Sequence, residues 1–173
     1  MLGIGTQVSS VNHKKLFRSP VSTNFTPTSS EKIIKSNVGD FRVASSDFSA
    51  CFWVKLTADA TSTSNKDGHI GLTAGAFRAH GFYFYYNDAS GDSEVIKFIT
   101  NSGSASSNIA TGDVDHDIWY HVAATWDYSA TTGKLYLDGT QVSTSTSMTA
   151  PTNYTGDIGI GQSGVGSKYV ACR

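Results

Sequence analysis

Hydrolysis of a glycosidic bond needs two carboxyl groups on either side of the bond, one to protonate the leaving oxygen and one to serve as base or nucleophile. The chain has glutamates only at Glu31, in a polar N-terminal stretch, and at Glu94, in a turn. Aspartates could replace them in principle, but aspartates in turns are ordinarily solvated. Nucleophilic chemistry has no better support, because no G-x-S-x-G elbow occurs and neither Cys51 nor Cys172 is tied by a motif to a histidine. His13, His69, His80 and His116 are scattered, while His121 falls inside a strand pattern, where a packed, hydrogen-bonded role is the simpler one. No zinc spacing is present. The residues therefore predict a protein that is not an enzyme and requires no cofactor.

Recognition chemistry has more to work with. A sugar is usually held by an aromatic ring stacked on its apolar face and by polar donors around its rim. Trp53, Tyr83 and Tyr85 are the candidate ligand-binding residues, because strand alternation turns them away from the main apolar face of their segments. The plainer alternative is that each covers the second face of its own sheet. Residues 113–117, DVDHD, resemble a calcium loop at first sight, but the glycine at position six and the glutamate at position twelve of an EF-hand are missing, so the segment reads as a solvated turn.

The elements that must carry these residues are strands. With 17 glycines, 3 prolines and a 39% apolar share, the composition suits short strands joined by many turns. At 173 residues the chain is one domain with a proper core. A net charge of -1 leaves no electrostatic footprint for nucleic acid, and no apolar run is long enough for a membrane helix. The opening MLGIGTQVSSVNHKKLF lacks the basic leader and continuous apolar stretch of a signal peptide. Residues 1–30 are polar and interrupted by Pro20 and Pro27, which predicts an extended N-terminal arm ahead of a folded unit over 31–173. In FSACFWVKL, period two places Phe48, Ala50, Phe52, Val54 and Leu56 on one face and Cys51, Trp53 and Lys55 on the other. Aromatics on both faces of GFYFYY mark an interior strand whose second face could line a groove. Asp138-Gly139 supplies the positive backbone angles of a tight hairpin. Cys51 and Cys172, both in strand-like segments, fit a disulfide or two free thiols equally well.

The run WYHVAATWDYSATTGKLYLDGTQV resembles the W-x-H-V-x-x-T-x-D strand and G-x-L-x-L-Y-x-D-G-x-x-V hairpin of laminin-G-like jelly rolls; DFSACFWVKL and DIGIGQSG resemble the strands that precede and follow them. The resemblance extends from about Phe41 to the end. It implies an all-β, two-sheet antiparallel jelly-roll sandwich of the concanavalin A-like class. Glucanases of that class carry an E-x-D-x-x-E strand, which this sequence does not contain. Some laminin-G-like domains hold one calcium ion at a rim, and on that implication Asp40, Asp127 and Asp138, near strand ends, are the candidate Ca2+ ligands. Domains of this kind usually continue past Tyr169-Val170-Ala171-Cys172-Arg173 into a closing strand of the form I-D-E-V-R-I-Y. Its absence leaves three explanations open: a fragment, closure by the arm, or strand addition from a neighbouring subunit.

Two function classes follow. The favoured expectation is a non-catalytic structural or adhesion protein of an extracellular or virion surface, self-associating through its arm or an open sheet edge. The alternative is a lectin-like carbohydrate-binding module, with or without Ca2+ dependence, whose partner is a carbohydrate or a protein surface.

Overall fold

A computed structural model describes residues 33–35, 43–56, 68–74, 80–87, 94–153 and 158–160. The predicted arm, Asp40 and Cys172 lie outside these residues, as does the question of a closing strand. Among the described residues there is no helix, and none therefore that could cross a membrane.

Among the described residues ten strands make two antiparallel sheets. In chain order they are β1 (Ile33–Lys35), β2 (Phe48–Lys55), β3 (Gly68–Ala74), β4 (Gly81–Asn87), β5 (Val95–Asn101), β6 (Ser106–Ala110), β7 (Trp119–Asp127), β8 (Thr132–Leu137), β9 (Thr140–Ser145) and β10 (Ile158–Ile160). The larger sheet runs β1-β10-β3-β4-β5-β6, and the smaller β2-β7-β8-β9. This is the expected jelly-roll sandwich.

The period-two pattern of β2 decides which side packs. Val54 and the following Leu56 are buried, and Phe48, Ala50 and Phe52 pack against the same core. From the facing sheet β4 contributes Phe82, Phe84 and Tyr86, and β5 contributes Ile96 and Phe98. Aromatic rings bridge the two layers: Phe48 stacks on Phe82 with centroids 4.5 Å apart, and Phe52 meets Phe84 edge-on at 4.9 Å. Such contacts add to what burial alone supplies.

The hairpin read from sequence forms as expected. Val122 pairs with Leu137 and Ala124 with Leu135, and Leu135, Val122 and Ala124 are fully buried. Asp138 and Gly139 take φ of 50° and 82°, the left-handed pair that a two-residue turn between β8 and β9 requires.

One expectation is corrected. Residues 113–117 are not simply a solvated turn: Val114 is 3% exposed and belongs to the core. The loop is pinned by bonds from Val114 N to Glu94 O (2.9 Å) and from Asp117 N to Leu56 O (2.7 Å). His116 Nε2 lies 3.1 Å from the Tyr86 hydroxyl and 3.2 Å from Glu94 Oε2. An apolar side chain between acidic neighbours is thus the anchor, and the acidic residues face outward because Val114 faces in.

Candidate functional site

Because alternate residues of a strand face opposite sides, the core positions of β2 and β7 fix which residues lie on the outer face of the smaller sheet. On β2 these are Ser49, Cys51, Trp53 and Lys55; on β7 they are Trp119, His121, Ala123 and Thr125. Register sets Trp53 opposite His121, Lys55 opposite Trp119 and Cys51 opposite Ala123. Tyr136 of β8 lies opposite Ala123 and continues the row.

Trp53 is 59% exposed and Trp119 is 43% exposed. Tryptophan is ordinarily among the more buried residues, so two exposed indoles on one regular sheet call for an explanation. The Trp53 indole and the His121 imidazole stand 5.2 Å apart between centroids, inclined by 52°. His121 is held firmly from the other side: its backbone N–H donates to Asp138 Oδ1 at 2.8 Å, and its carbonyl accepts from Asp138 N at 2.8 Å. At the rim, Lys55 Nζ is 3.4 Å from Asp117 Oδ1. The exposed aromatics lie on the edge strand β2 and its neighbour β7, with polar side chains around them. They can stack a planar or pyranose-like apolar surface while His121 and its neighbours offer hydrogen bonds. Cys51 carries an exposed free thiol on the same face.

The candidate ligand-binding residues do not form one site. Tyr83 and Tyr85 belong to the outer face of the larger sheet, across the sandwich from Trp53, and are only 2% and 8% exposed. Their rings meet edge-on at 6.5 Å, and Asn101 Nδ2 donates to the Tyr83 hydroxyl at 3.5 Å. Alternation turned them away from the core as expected; it did not place them beside Trp53.

Two of the three candidate calcium ligands, Asp127 and Asp138, also lie apart. Asp127 ends β7 and Asp138 follows β8, so the length of β8 separates them, roughly 20 Å at strand rise. They cannot share an ion, and each has a different task. Asp127 Oδ1 accepts from Ala130 N at 3.0 Å and Ser129 Oγ at 2.8 Å. The Ala130 N–H, then the Ser129 hydroxyl, hold its carboxyl below the ordinary value of 3.8. It closes the β7–β8 turn, whereas Asp138 ties the end of β8 back to His121 of β7. Among the described residues no group of three or more His, Cys, Asp or Glu side chains is arranged for a metal.

Trp119 and His121 were not singled out as binding residues from sequence. The signal was nonetheless present, since Val122, Ala124 and Trp126 inside imply Trp119, His121 and Ala123 outside.

A model of the concanavalin A-like lectin/glucanase superfamily, in its laminin-G-like form, matches residues 29–171. No curated protein sequence matches the chain significantly. Among solved structures the chain resembles a heptameric SAP-like pentraxin from Limulus polyphemus, with TM-score 0.57, 15% identity, and 82% of this chain and 64% of that one covered. It also resembles the binding domain of Paraclostridial Mosquitocidal Protein 1, with TM-score 0.57, 16% identity, and 82% and 35% covered. A third structure is that of botulinum neurotoxin type C, whose cell entry is described as dependent on two ganglioside molecules (TM-score 0.50, 15% identity, 75% and 31% covered). The chain thus spans between about a third and two thirds of these proteins, and at such identities the likeness is one of fold. From the match over residues 29–171, the chain belongs to the concanavalin A-like lectin/glucanase superfamily as a laminin-G-like domain.

Proposed function

We propose that this chain is a non-catalytic adhesion module of a surface or extracellular protein, which recognises carbohydrate on the outer face of its smaller sheet. The observation that carries the reading is Trp53, 59% exposed on a paired strand and flanked by the His121 ring. Its indole is already in place on a rigid sheet, so stacking a sugar costs little ordering of the protein. The carboxylates fit a binding role rather than hydrolysis. Glu94 is engaged by His116 at one end of the sandwich, and the outer-face residues beside Trp53 include no opposed pair of acids. A superfamily that includes lectins, and a neighbour described with gangliosides, are consistent with the reading.

The test is a glycan array read with the intact chain and with Trp53→Ala. The intact chain should retain a restricted set of glycans, and the variant should lose them by at least about tenfold in affinity. Its melting temperature should move little, because substitutions on an exposed face usually change stability by less than about 0.5 kcal/mol. Full retention by Trp53→Ala would remove this face from the function.

A further inference from the structure

The carbohydrate reading of the Trp53 face can be taken further, and on that reading we infer that the ligand is an uncharged oligosaccharide of at least two rings, with Trp119 as its second stacking position. Trp119 pairs with Lys55, two positions along the ladder from the Trp53–His121 pair, so the two indoles are diagonal neighbours on one face. Diagonal cross-strand neighbours sit about 7–8 Å apart. Two indoles rooted on the backbone at that spacing can each underlie a separate ring of a chain. Both indoles are open to solvent, at 59% and 43%. Neither needs to be uncovered before a ligand can lie along β2 and β7.

Charge selects the ligand class. The face carries two lysines, Lys55 and Lys134, among its described residues. Lys55, the one beside Trp119, is paired with Asp117 at 3.4 Å, and Lys134 lies away from the indoles, opposite Thr125. Beyond His121 stands Asp138, whose carboxylate is directed at the His121 backbone N–H. An acidic sugar lying on the two indoles would therefore meet a lysine that is already paired and a further carboxylate, and would have to displace that ion pair to be neutralised by Lys55. An uncharged sugar needs only the indoles, the imidazole and the surrounding hydrogen-bonding groups.

The experiment is calorimetric titration of the intact chain, Trp119→Ala and Trp53→Ala with cello-, xylo- and malto-oligosaccharides of one to four rings. Sialyllactose and heparin-derived tetrasaccharides are the acidic probes. Affinity for an uncharged series should rise about tenfold or more between one and three rings. Trp119→Ala should remove that rise while leaving the single-ring affinity intact, and added salt should change little. If affinity is independent of chain length, or Trp119→Ala has no effect while Trp53→Ala abolishes binding, the two-ring site is wrong and the carbohydrate reading stands. Preference for the acidic probes overturns the choice of an uncharged ligand. If neither these probes nor the array bind, or light scattering shows a dimer that Trp53→Ala dissociates, the carbohydrate reading falls and the inference with it.

Discussion

Truncation of Phe84 to alanine is expected to cost about 3–5 kcal/mol of folding stability and to lower the melting temperature by roughly 10 °C or more. Phe84 is fully buried in β4 and touches both layers of the sandwich. Its ring meets Phe52 of the smaller sheet edge-on at 4.9 Å and inclines against Phe98 of its own sheet at 5.4 Å. Alanine would leave a void bounded by aromatic rings, and stacked rings on regular strands cannot collapse into it easily. The loss is therefore the transfer energy of the ring together with the cavity. Calorimetric or denaturant unfolding measures it directly. A loss under about 1 kcal/mol would mean that the two sheets do not depend on this contact. The comparison with Trp53→Ala is informative, since a larger side chain removed from the outer face should cost far less.

The second large effect concerns a position that looks harmless in the sequence. Val114→Asp should cost about 3–5 kcal/mol near neutral pH, because it places a carboxylate in the apolar core. Val114 is 3% exposed, and the loop that carries it is fixed to Glu94, Leu56 and Tyr86 by the bonds described above. The sign of the pH dependence follows from burial. The introduced carboxyl would titrate higher in the folded state than in the unfolded one. Its neutral form is the better tolerated, so the deficit should shrink in acid and grow as pH rises through the raised folded value. Denaturant unfolding at several pH values checks both magnitude and direction. A variant as stable as the parent at neutral pH would show that the loop can release Val114 without loss.

The same residue shows where the sequence was opaque. In DVDHD, polar residues outnumber the single valine, and local composition therefore predicts a solvated turn. Only the tertiary structure reveals that this valine reaches the core. By contrast, β2, β7 and β8 were legible because their alternation continues over six to nine residues and because Asp138-Gly139 admits few backbone conformations. β6, with the sequence SSNIA, offers one apolar anchor, Ile109, and is recognisable as a strand only through its pairing with β5.

The candidate site was partly legible, for a related reason. Period two tells on which side of its strand a residue lies, and it placed Trp53, Tyr83 and Tyr85 away from the core. It does not tell which sheet a strand joins. Trp53 and the two tyrosines therefore share a property without sharing a surface. Asp127 and Asp138 each lie at a strand end, as read, but at opposite ends of the same hairpin. Trp119 and His121 join Trp53 only once the register of β2 on β7 is known.

That pairing also bears on how the proposed recognition face comes into being. β7, β8 and β9 are joined by short turns, and a meander of this kind can assemble within microseconds to milliseconds. β2 is different, because its register joins Phe48 to Trp126 and Lys55 to Trp119, contacts that close a long loop before they return any stabilisation. The strand carrying Trp53 should therefore dock late, after the meander that carries Trp119 and His121. In stopped-flow refolding, the signal of Trp53 against His121 should recover after the β-sheet signal of the meander. Recovery of the two together would show that β2 belongs to the folding nucleus. If β2 does dock late, partly folded chains display one indole without the other, and the paired aromatic face becomes a property of the finished fold.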